Sequence, residues 1–158
     1  MPANRPITAT ETTLVAEYPA RSVAWTLYLL LFPVPVVAFL AALATDGAYA
    51  ATAYLMWLHF SEWLIAAGLA FGVLAALALL VAFVTTPVVR EARYGPAHLV
   101  LFYVALVVEL VNAFVHTADG WTAVVPTGLV LSVLAAILAL AAVATLFFVP
   151  VESVGARR

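Results

Sequence analysis

Four apolar stretches, at about residues 23–45, 60–84, 97–116 and 122–149, dominate the chain. Each approaches the roughly 20 residues that a helix needs to cross a hydrocarbon core about 30 Å thick. Lipid offers no partner to a backbone amide, so segments of this kind close their hydrogen bonds internally as helices. The expectation is an all-α integral membrane four-helix bundle. Composition agrees, because 67% of the 158 residues are hydrophobic and only 9% are charged, giving a mean hydropathy of +1.17, far from soluble domains. The fourth stretch is the longest and has room to tilt or emerge. Residues 1–21 and 150–158 flank the bundle as an N-terminal segment and a tail, which leaves little chain for a separate extramembrane domain.

Arginine sets the expected orientation. Arg5 and Arg21 precede the first stretch, Arg90 and Arg93 separate the second from the third, and Arg157 and Arg158 follow the fourth, while residues 46–59 and 117–121 contain no Lys or Arg. By the positive-inside rule both termini and the Arg90/Arg93 connection are cytoplasmic, an N-in/C-in topology. Tyr18, Trp25 and Tyr94 suit the inner interface, and Tyr49, Tyr54, Trp57, Trp63 and Trp121 the outer one, where an apolar ring keeps one polar atom wet. The first twenty residues lack the layout of a secretory signal, so the first stretch is expected to be retained.

Several function classes drop out. A net charge of −2 with no basic cluster gives nucleic acid no electrostatic footing. The absence of cysteine excludes disulfides, thiolate metal sites, iron–sulphur clusters and CxxCH haem attachment within this chain. No G-x-S-x-G, HExxH or Gly-rich phosphate loop is present, so no hydrolase or transferase constellation is legible.

What remains is a polar face on the third stretch. Taking 100° per residue, Glu109 lies about 20° from His98, about 20° from His116 and about 60° from Asn112. At 1.5 Å per residue it stands roughly 10 Å from His116 and about 16 Å from His98, within the hydrocarbon toward the outer leaflet. A carboxyl at that depth is costly unless it is paired, neutralised or wetted. The first expectation is a neutral acid hydrogen-bonded to Asn112 or to a carbonyl of the first stretch, fixing helix register; a proton relay or a quinone contact is the sharper alternative.

The outer end gathers more polar groups. His59 and Glu62 stand three apart, as do His116 and Asp119, and Asp46 closes the first stretch, so each spaced pair shares a helix face. Two imidazoles with two or three carboxylates match the N and O ligands of a divalent metal, and His59 with His116 are alternatively the axial pair of a b-type haem. The plainer expectation is that these side chains are solvated or cap helix ends and that no cofactor is bound. Asp119-Gly120 resembles a helix stop with a turn.

Backbone features complete the pattern. Pro33 and Pro35 remove amide donors and strand the carbonyls of Leu29 and Leu31, which implies a static kink more readily than a hinge. Gly68 and Gly72, continued by Ala76, and Gly128, Ser132, Ala135 and Ala139 form small-residue stripes for close helix approach, within the chain or against another copy.

The strings PVPVVAFLAALATDGAY, FSEWLIAAGLAFGVLAAL and NAFVHTADGWTAVVPTGLVLS resemble the bacterial four-helix "predicted membrane protein" family of unknown function, over roughly residues 22–149. Pro33, Pro35, Asp46, Trp63, Gly68, His98, Asn112, His116, Asp119, Gly120, Pro126 and Gly128 match its pattern. The resemblance implies a bundle in the bacterial inner membrane with no established activity, and a redox association through members fused to Rieske-type iron–sulphur domains. Relatives commonly carry an acid where this chain has Ala82 and an Asn where it has Phe102, and Glu109 and His59 are private to this chain. The expected function is a non-catalytic accessory or scaffold subunit of an inner-membrane complex, with a respiratory or redox complex as the candidate, partnered by the bilayer and by other subunits or itself. The alternatives are a small haem- or metal-binding redox protein using His59, Glu62, His116 and Asp119, and a proton-relay or transport role through Glu109.

Overall fold

The computed structural model describes residues 22–92, 94–118 and 124–147. Its helices are α1 (Val23–Leu31), α2 (Pro33–Thr52), α3 (Leu55–Thr85), α4 (Pro87–Glu91), α5 (Gly95–His116) and α6 (Leu129–Phe147), the last preceded by a π-type turn, Val124–Gly128. Four helical segments are long and apolar enough to cross a membrane: Val23–Thr52, Leu55–Thr85, Gly95–His116 and Val124–Phe147. They are called spans one to four below. An all-helical membrane protein is therefore what the apolar runs build.

Span one begins at Ser22, whose hydroxyl accepts from the Trp25 amide and so serves a donor that a helix start leaves free. Phe32 separates α1 from α2 but keeps helical angles, and its N–H still donates to the Tyr28 carbonyl. Pro33 opens α2, the position where a missing donor costs least. Pro35 is fully buried beside Gly72. The double proline thus leaves span one nearly continuous.

The first connection differs from expectation. Residues 46–59 read as an outer loop because Asp46 looked like the polar close of an apolar run, yet α2 continues to Thr52 and α3 starts at Leu55. Ala53 ends α2 in the left-handed conformation (φ 54°), with its N–H on the Tyr49 carbonyl, so the connection is a tight turn. Asp46 stays helical because its carboxylate is satisfied inside the bundle.

Spans one and two, two and three, three and four, and four and one pack side by side. The arrangement is an up-down-up-down square in which spans one and three run parallel and face each other across the diagonal. Small residues line the contacts: Ala75, Ala82, Ala105, Ala135 and Ala142 are fully buried, which lets the backbones approach. Gly68 meets Phe39 and Ala38 of span one, and Gly72 meets Leu106 of span three. Ser132, Ala135 and Ala139 also face inward, so both small-residue stripes serve packing within the chain. Outward faces carry Leu30, Val37, Leu77, Val107 and Ile137, as contact with lipid requires.

The interior is layered. Tyr28, Phe32, Phe39, Leu79, Phe102 and Leu106 belong to one apolar core, and Tyr49, Leu58 and Val124 form a smaller one at the end carrying the one–two and three–four connections. That end is called distal, and the end carrying Ser22 and Phe147 proximal. Tyr49, expected in an interfacial belt, is buried there, whereas Tyr54, Trp57 and Trp63 are exposed. Tyr18 and Trp121 lie outside the described residues.

Candidate functional site

Span three turns His98, Glu109, Asn112 and His116 inward, and all four are buried. The four share one face of the helix, and that face looks into the bundle.

At the distal end His116 Nε2 lies 3.0 Å from Asp46 Oδ1, and Nδ1 lies 3.0 Å from the Asn112 carbonyl. A carbonyl can only accept, so Nδ1 carries a hydrogen. One further proton lies between Nε2 and Asp46, and whichever partner holds it the pair is neutral overall. Ser132 Oγ donates to Asp46 Oδ2 at 2.5 Å and accepts from Asn112 Nδ2 at 2.8 Å. The circuit Asn112–Ser132–Asp46–His116 joins spans one, three and four and closes on the backbone of Asn112.

A second clasp holds the proximal end. His98 Nδ1 donates to the Ala142 carbonyl at 2.9 Å, with Thr145 Oγ1 at 2.7 Å. That leaves Nε2 to accept from the Tyr28 hydroxyl. The aromatic rings of Phe32 and Tyr28 pack against the imidazole, with centroids 5.4 and 5.5 Å away. Ala82 and Phe102 are apolar and buried, so the polar partners of His98 are a tyrosine, a threonine and a backbone carbonyl.

The two clasps share a register. Tyr28 and His98 are 70 residues apart, and so are Asp46 and His116. Parallel spans one and three are therefore pinned twice across the diagonal, about five turns or roughly 27 Å apart, close to the hydrocarbon thickness. Other links are lateral. Thr45 Oγ1 and Ser61 Oγ are 2.7 Å apart between spans one and two, and the Tyr103 hydroxyl donates to the Ala76 carbonyl at 2.8 Å between spans three and two. Tyr28→Phe removes the donor serving a buried ring nitrogen, which costs about 1–3 kcal/mol; a midpoint in thermal unfolding equal to wild type would contradict the proximal clasp.

Among the described residues, the candidate distal ligands His59 and His116 are not brought together. His59 and Glu62 bond each other at 3.2 Å on an outward face, their side chains 66% and 38% exposed. Glu62 does share a half-open cleft of about 440 Å³ with His116, Ile65, Ala66, Ala113 and Thr117. Among the described residues, however, no three His, Cys, Asp or Glu side chains are grouped to hold a metal. Asp119 and Gly120 lie outside the described residues. The axial haem pair meets a harder objection, because both nitrogens of His116 are engaged with Asp46 and Asn112. The reason is partner choice: Asp46, read as a possible outer ligand, is wholly buried and takes the imidazole for itself.

Tyr28, Thr145 and the hydrogen-bonding role of Ser132 were missed in sequence. Their signal was a hydroxyl deep in an apolar run, and for Tyr28 and Asp46 the same spacing that separates His98 from His116.

Pro126, joined to Val125 by a cis peptide bond, and buried Gly128 lie in the turn that starts span four. No curated protein and no solved structure matches the chain. A family model described as Predicted membrane protein (DUF2231) matches residues 24–146, a range that takes in both clasps and Glu109. With four helices able to span a membrane and a match over most of its length, the chain belongs to the DUF2231 family of membrane proteins of unknown function.

Proposed function

We propose that this protein is a non-catalytic integral membrane subunit, an accessory or scaffold component of a larger assembly in the bacterial inner membrane. One observation carries the reading: the two histidines at membrane depth are spent on joining spans, each ring nitrogen engaged by Tyr28, Thr145 and Ala142 or by Asp46 and Asn112. Groups held in this way stiffen a bundle and offer no open position to a substrate or metal. Both small-residue stripes are used inside the chain, so a partner would meet the Val, Leu and Phe faces now turned outward.

Mild extraction from native membranes tests the assignment. A partner recovered in fixed ratio with the tagged chain is the expected result, and recovery of the chain alone under every mild detergent overturns it. A Soret band or a stoichiometric metal in that preparation would establish the rival redox reading through His59, Glu62, His116 and Asp119. The arginine asymmetry further supports cytoplasmic termini. A reporter fused after Arg158 should be active in the cytoplasm, and periplasmic activity there would reverse the topology.

A further inference from the structure

Among the described residues, two buried side-chain atoms have no hydrogen-bond partner: Glu109 Oε1 and Asn112 Oδ1. They belong to neighbouring, fully buried groups three residues apart on span three. The other halves of the two groups already meet, since Asn112 Nδ2 points to Glu109 Oε2 at 3.5 Å. If Glu109 were a carboxylate, both orphans would be acceptors in want of a donor.

The surrounding donors are spent. The second amide hydrogen of Asn112 goes to Ser132, the Ser132 hydroxyl goes to Asp46, and the His116 ring serves Asp46 and the Asn112 carbonyl. The titratable groups near Glu109 are Asp46 from span one and His116 on span three, and they already form a neutral pair. A charged Glu109 would be a second carboxylate sharing one imidazole at a depth where unpaired charge is costly.

One hydrogen resolves both orphans. Placed on Glu109 Oε1, it donates to Asn112 Oδ1 while Asn112 Nδ2 donates back to Oε2, closing the cyclic pair that a carboxylic acid and a primary amide form. We propose that Glu109 is a proton-binding site inside the bundle, its ligand a single proton held between the Glu109 carboxyl and the Asn112 amide. With that proton bound, every donor and acceptor of the distal cluster is used. The amide of Asn112 is also held in the orientation that feeds Ser132 and, through it, Asp46.

Infrared spectroscopy of the full chain in lipid at neutral pH tests this, with Glu109→Gln as the reference. Gln keeps a donor for Asn112 Oδ1 and an acceptor for Nδ2, so the variant should fold and change Tm by less than about 3 °C. The difference spectrum of wild type minus E109Q should show a carboxylic-acid C=O band. Carboxylate bands in its place would mean that water or another donor serves Oε1, and would overturn the proposal. Failure of E109Q to fold would do the same, because Gln reproduces the neutral acid in shape and hydrogen bonding.

Discussion

Asp46→Ala is expected to destabilise the bundle by about 3–5 kcal/mol, the usual cost of stripping one partner from a buried charged pair. Asp46 accepts from His116 at one oxygen and from Ser132 at the other, and it is wholly buried. Its loss leaves an imidazole nitrogen and a hydroxyl facing each other across a void. An ordinary hydrogen bond between membrane helices is worth only about 0.6 kcal/mol, so a cost of that size would mean that Asp46 is merely one more lateral link. A double-mutant cycle with His116→Ala, followed by unfolding in mixed micelles, separates the two cases. The paired reading requires a coupling of about 0.5–3 kcal/mol. Strict additivity would show that the residues act independently, and the distal clasp would then have no energetic content.

Gly68→Ala should cost about 1–3 kcal/mol, while Gly72→Ala should be close to neutral. An added Cβ at Gly68 would lie 2.6 and 2.9 Å from two ring atoms of Phe39 and 3.0 Å from the Ala38 methyl. Phe39 is 1% exposed, so its ring has no space to retreat into and the helices must part. At Gly72 the nearest neighbour is a terminal methyl of Leu106, whose Cγ is 3.7 Å away, and a rotation about one bond clears it. Alanine also gains about 1 kcal/mol over glycine in a helix interior, which offsets the cost of moving the Leu106 methyl but not that of displacing the Phe39 ring. Thermal unfolding of the two variants side by side reads the contrast. Equal destabilisation would mean that spans one and two are not in the close contact described.

Much of this was legible along single helices. The apolar runs prescribe four spans because lipid leaves the backbone no alternative. The 100° step places His98, Glu109, Asn112 and His116 on one face, and all four are buried. Legibility fails where an outcome depends on which helix stands opposite. His59 and His116 seemed to converge because both stand at the distal ends of their helices. A helix end carries a direction as well as a depth, and His59 turns outward while His116 turns toward span one. Asp46 was misread for a related reason. A charge near the end of an apolar run resembles a loop boundary until a partner is found for it, and the partner is 70 residues away.

The sequence alone determines that this chain is a helical membrane protein with a polar stripe on its third span, because hydropathy and helical periodicity are local properties. Tertiary structure decides what the stripe does. Spans one and three run parallel, and in one register they bring Tyr28 to His98 and Asp46 to His116. Side-chain donors and acceptors shed their desolvation cost only when a partner lies within about 3 Å, and no pattern along one helix encodes that distance across the bundle.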